Sequence, residues 1–137
     1  MRSAEDAIAT LVAKDEIRDL AMLYSRGVDR KDMALLATLY TADGVDAHGP
    51  HYRGSAEGFL RFLAESLPHI PYSGHHICNH LISVSGDEGV GEVYVVAYHI
   101  TPDGKGGFVE DIQNGTFKVK SPSLGSGPKE VPVTPEK

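Results

Sequence analysis

Apolar residues recur with two different periods along this chain, and the switch between them restricts the fold. From Ile17 they fall at Leu20, Ala21, Tyr24 and Val28, the i, i+3, i+4, i+7, i+11 stripe of an amphipathic helix. From His75 onward the period is two. His76, Cys78, His80, Ile82 and Val84 alternate along one predicted strand, and Val93, Val95, Ala97 and His99 along the next. Helices come first and an antiparallel meander follows, with no long crossover between strands. That order predicts an α+β domain with helices on one face of a curved sheet.

The local signals place the elements. Ser3 and Asp6 resemble a capping box at the start of the first helix, and Gly27 is a weak point or end. A second helix is predicted from about Asp32 to Tyr40, stopped by Asp43-Gly44. Short strands over Val45–His48 and His51–Arg53 flank Gly49-Pro50, and Ser55 caps a third helix at 56–67 ended by Pro68 and Pro71. Gly86-Asp87-Glu88-Gly89 and Pro102-Asp103-Gly104 read as turns. Asn114-Gly115 predicts a tight hairpin that pairs Gln113 with Thr116 and Ile112 with Phe117 but puts Glu110 on the apolar face. With 137 residues the chain suits one domain, expected over 1–120. The tail 121–137, which holds four of the eight prolines, is expected to be extended or disordered.

Charge narrows the function classes. The net charge is −6 and no basic stripe occurs, which disfavours a nucleic-acid partner or an anionic membrane surface. The longest apolar run, Val93–Tyr98, is far short of the ~20 residues of a membrane span. The N-terminus lacks the apolar core of a signal peptide, and the single Cys78 fits a reducing, cytoplasmic setting. Cys78 itself reads as a small buried hydrophobe. His75 and His76, as strand neighbours, point to opposite faces and do not converge on one metal ion.

Several strings, in their order and spacing, are similar to the SnoaL-like branch of the nuclear-transport-factor-2-like superfamily. They are Ile17-Arg18-Asp19-Leu20, Tyr24-Ser25-Arg26-Gly27-Val28-Asp29, Leu35 to Gly44, Tyr52-Arg53-Gly54, His76 and Ala97-Tyr98-His99, together covering about residues 5–119. The resemblance implies a cone-shaped curved antiparallel sheet with three helices of the N-terminal half on its concave side, around an apolar pocket. Within the branch the chain looks most like the scytalone dehydratase, hexachlorocyclohexane dehydrochlorinase and bile acid 7α-dehydratase group. Those enzymes use no metal or organic cofactor. They expel a leaving group and a proton with an Asp after the first helix and a His on the sheet.

By that resemblance Asp29 is the carboxylate, His76 the histidine that opens the first long strand, His99 a second histidine and Tyr24 an orienting tyrosine. Each has a plainer reading. Asp29 suits an N-cap of the second helix, His99 a core histidine, and Tyr24 the packed stripe of the first helix. The expected function is a cofactor-independent lyase or isomerase acting on a small, partly apolar substrate, cyclic substrates included. The alternative is a non-catalytic binding or assembly domain of the same fold. A homo-oligomer, dimer or trimer, is expected because the short hairpin leaves a sheet edge.

Overall fold

The computed structural model describes residues 3–121 and 131–134, with side chains described as far as residue 110. Helix α1 runs over Ala4–Arg30. Its start is the capping box read from the sequence: Ser3 Oγ accepts the Asp6 N–H, and the Asp6 carboxylate accepts the Ser3 N–H. Gly27 does not end it. The helix closes at Lys31, which takes the left-handed conformation at φ 56° and donates its N–H to Gly27 and Val28 carbonyls. Ile17, Leu20, Ala21, Tyr24 and Val28 form the buried stripe, whereas Ile8, Leu11 and Val12, earlier on the same helix, are exposed.

Helix α2 spans only Met33–Ala37, shorter than the sequence predicts, and its N-cap is Asp32, whose side chain accepts the Leu35 N–H. Asp29 is therefore not the cap. Strands β1 (Val45–His48) and β2 (Tyr52–Ser55) pair antiparallel around the predicted turn. Ser55 caps α3 (Ala56–Ser66), and a 3₁₀ turn over Leu67–His69 leads into the main sheet. The long strands are β3 (Tyr72–Ser85), β4 (Glu88–Pro102) and β5 (Phe108–Ser121).

Residues Val131–Thr134 form β6, giving the order β2-β1-β6-β5-β4-β3. All neighbours are antiparallel except β1 and β6, which run parallel. The tail thus contributes one extended segment between β1 and β5; its residues 122–130 and 135–137 lie outside the described residues. No helix among the described residues is long and apolar enough to cross a membrane.

Two expectations about the strands are corrected. Asn114-Gly115 makes no hairpin: Asn114 sits opposite Val96 and Gly115 opposite Val95 inside a continuous strand. The chain reverses instead near Asp103, whose carboxylate accepts the N–H groups of Lys105 and Gly107. Glu110 pairs with Ile100 and is exposed, within hydrogen-bonding reach of the Tyr98 hydroxyl. The side-chain faces expected for residues 111–120 lie outside the described side chains.

The second correction concerns β3. Ile77 pairs with Val95 and His80 with Val93, so Cys78 and Asn79 together oppose one residue of β4. This β-bulge adds a residue and reverses the alternation that the sequence suggests. Ser73, His75 and Ile77 therefore share the helix-covered inner face with His80, Ile82 and Val84, while His76 and Cys78 are exposed. Val93 and Ala97 of β4 share one face as expected, and both are buried on the inner side; one core joins Val93 to α1, α2 and α3 through Leu36, Phe59 and Leu63.

Candidate functional site

The site forms where the C-terminal end of α1 crosses the start of β3. Asp29 stands one residue before the end of that helix, and its carboxylate meets three donors from the strand. Oδ1 lies 2.6 Å from His75 Nδ1 and accepts the Ser73 hydroxyl at 3.0 Å. Oδ2 accepts the His75 backbone N–H at 2.9 Å. A carboxylate against Nδ1 keeps the proton on that nitrogen and leaves the Nε2 lone pair for other work. The pair is largely sheltered, with side-chain exposures of 13% for His75 and 23% for Asp29. Shelter from water strengthens such a contact.

His99 completes the cluster from β4. It pairs with Ser73 across the ladder, and its ring meets that of His75 edge-on at a centroid distance of 5.4 Å. Tyr24 lies five residues, nearly one and a half helical turns, before Asp29 and is buried. Burial first, then the nearby carboxyls of Asp46 and Asp29, push its phenol far above the ordinary tyrosine range. The hydroxyl therefore stays protonated and serves as a hydrogen-bond donor. Tyr40 is raised in the same way, by burial, by Tyr24 and by Asp46, to which it donates a hydrogen bond at 2.9 Å.

The structure brings together Asp29, Tyr24 and His99 of the residues singled out in the sequence. It does not bring His76, which the bulge turns to the exposed face; His75 stands in its place. Cys78 is exposed rather than buried, and its thiol points to the His76 carbonyl at 3.5 Å. Sequence reasoning passed over Ser73, His75, Asp46 and Tyr40. The adjacent pair His75-His76 was the only signal for the right histidine, and strand parity without the bulge selected the wrong member. Among the described residues no three His, Cys, Asp or Glu side chains converge as a metal-binding set.

This arrangement supports proton abstraction. An imidazole backed by a carboxylate removes a proton through Nε2 and has its positive charge stabilised as it forms. A second imidazole, His99, and a phenol, Tyr24, lie beside that pair.

A profile of the SnoaL-like domain matches residues 9–119. No curated protein matches the sequence. Among solved structures, a scytalone-dehydratase-like protein of Novosphingobium aromaticivorans superposes with a TM-score of 0.79 at 18% identity, covering 93% of this chain and 86% of that one. The type 3 hexachlorocyclohexane dehydrochlorinase of Novosphingobium barchaimii gives 0.80 at 17% identity, over 93% and 88% of the two chains. A nuclear transport factor 2-like superfamily protein of Salmonella enterica gives 0.70 at 17% identity, over 92% and 93%. At these identities the likeness is one of fold.

Proposed function

Because this chain belongs to the SnoaL-like domain family, we propose that it is a cofactor-independent lyase that removes a proton and a leaving group from a small, partly apolar, cyclic substrate. The observation that carries the reading is the Asp29–His75 contact at 2.6 Å, with the carboxylate on Nδ1. The names of two fold neighbours, a scytalone-dehydratase-like protein and a dehydrochlorinase, point to the same class of chemistry.

In this reading His75 Nε2 takes a carbon-bound proton next to a carbonyl or another activating group. The C–H electron pair becomes the new C=C bond, and the C–O or C–halogen bond breaks. A halide leaves as the anion. A hydroxyl leaves as water, with a proton supplied by protonated His99. Asp29 stabilises the imidazolium of His75 while it exists, and the Tyr24 phenol holds the carbonyl oxygen as negative charge develops there. Returning the proton to a different carbon, without loss of a group, makes the same machinery an isomerase. Each acid–base group of this kind contributes ~10²–10⁴-fold, or about 3–5 kcal/mol of barrier.

The test is a turnover screen of the purified protein against cyclic hydroxy-ketones and halogenated rings, read by ultraviolet absorbance of the new double bond. Asp29→Asn and His75→Gln are expected to lower kcat by about 100-fold or more. Full turnover in both variants overturns the assignment.

A further inference from the structure

The mechanism above leaves one buried carboxyl without a task. Asp46, on β1, is fully buried, with 0% of its surface exposed. Among the residues whose side chains are described no Lys or Arg is buried. Removing such a group from water is costly unless hydrogen bonds replace the lost hydration. One oxygen, Oδ2, accepts the Tyr40 hydroxyl at 2.9 Å. The other, Oδ1, faces His48 Nδ1 at 3.4 Å, slightly beyond a well-formed hydrogen bond, and among the described residues neither atom has a hydrogen-bond partner.

The sequence spacing explains the placement. Asp46 and His48 are two residues apart on one strand and so share its inner face. The His48 ring stacks on Phe59, with centroids 5.0 Å apart and planes 22° apart, which fixes its tilt. Its side chain still keeps 29% of its surface exposed, so the ring is not sealed into the core.

We propose that Asp46 and His48 form a second carboxylate–imidazole pair, in which Asp46 is the positioning residue and His48 Nε2 accepts a hydrogen bond from a hydroxyl of the bound molecule. The pair repeats the logic of Asp29 and His75, with the carboxyl on Nδ1 and Nε2 turned elsewhere. Contacts of this kind commonly tighten when a ligand binds. The two pairs bracket one side chain: the Tyr24 phenol feels the carboxyls of both Asp46 and Asp29. In this proposal a substrate held at His75 and His99 by its reacting end reaches His48 with its remote end. The chemical class is a neutral ring with a hydroxyl remote from the carbon that loses its proton. This inference rests on the proposed lyase reading for the word substrate, but its test uses no turnover.

The experiment follows histidine ring nitrogens by long-range proton–nitrogen NMR in the full-length protein labelled at histidine. Phenol and anisole serve as probes, since they share a ring and differ in the hydroxyl. Wild-type His48 is expected to carry its proton on Nδ1, and phenol is expected to move its Nε2 signal at roughly tenfold lower concentration than anisole does. In Asp46→Asn the His48 tautomer should change while His75 keeps its own, and the preference for phenol should vanish. Equal responses of wild-type His48 to the two probes overturn the proposal. So does an unchanged His48 tautomer in an Asp46→Asn variant that is folded by circular dichroism. If that variant does not fold, the wild-type comparison of the two probes decides alone. A failed substrate screen would reject the lyase reading and leave these signals standing. Turnover that depends on Asp29, with His48 blind to phenol, would reject only the second pair.

Discussion

His75 and His76 are adjacent, chemically identical and opposite in surroundings. One receives a carboxylate on Nδ1 from α1; the other faces outward. Their contributions to turnover should separate accordingly. His75→Ala is expected to lose about 100-fold or more in kcat, and His76→Ala to stay within about twofold, in the same steady-state assay. Equal losses would mean that the bulge does not hold in solution. A third histidine makes a different prediction. His80 lies under α1 with both ring nitrogens buried and, among the described residues, without hydrogen-bond partners; burial, then Arg18, lower its pKa from the usual 6.5. The unfolded chain therefore takes up this proton at a higher pH than the folded one. Stability from this residue is present above pH ~6.5 and is lost as pH falls below it, toward the lowered folded value. His80→Gln should flatten that acid-side loss, measured as urea midpoints at pH about 5 and about 8. An unchanged difference would remove His80 from the account. Asp29, Tyr24 and His99 were legible through the resemblance of the strings around them, whereas periodicity alone read them as a cap, a packed tyrosine and a core histidine. His75 was not, because the deciding residue is the extra one at Cys78–Asn79, which no local pattern marks.

At the level of elements, α1 packs closely because glycine leaves room for its neighbours. Gly27 meets α2 so closely that a Cβ would stand 2.7 Å from Leu36 Cγ, and Leu36 is fully buried at 0% exposure. Alanine is the better helix former by about 1 kcal/mol. Overpacking a core that cannot yield costs about 1–3 kcal/mol, so the clash should win. Gly27→Ala is expected to lower Tm by roughly 3–5 °C in differential scanning calorimetry. A rise in Tm would show that Leu36 can move aside. The same comparison of local and distant forces explains which elements could be read in advance. The caps at Ser3 and Ser55 act within four residues, and those two helix starts follow from them, whereas the second helix is capped by Asp32 and not by Asp29. Gly27 looked like a helix end because propensity is local, yet tertiary packing carried the helix to Arg30. Asn114-Gly115 looked like a turn for the same reason. A ladder of fourteen residues along β4 outweighs a two-residue preference, and β5 runs straight through it.

Across the whole molecule, the sheet is covered on one side only among the described residues. The inner face carries the site and the core. The outer face of β3 and β4 presents Tyr72 at 52%, Leu81 at 75%, Val90 at 46% and Tyr94 at 49% exposure. Alternation along the strands puts these four on the side away from the helices. The helix-then-sheet order was legible from the change of hydrophobic period; which face of β3 the helices cover was not, because the bulge reverses the alternation there. The state of the other side was not, because the hairpin that suggested an open edge does not form. A different argument now supports the same proposal of self-association. Apolar side chains clustered on one face are rarely left in water, and β3 stands at the sheet's edge with its outer hydrogen bonds unpaired among the described strands. A second copy of this chain would supply a matching apolar surface by symmetry, since a two-fold contact needs only one patch. The expected outcome of light scattering at micromolar concentration is therefore the mass of a dimer or trimer. Placing a charge in the patch, as Leu81→Glu with Tyr94→Glu, should shift that mass toward the monomer while circular dichroism stays unchanged, because neither side chain belongs to the core. A wild-type protein that runs as a monomer would show that the face is tolerated in water, and the prediction would fail.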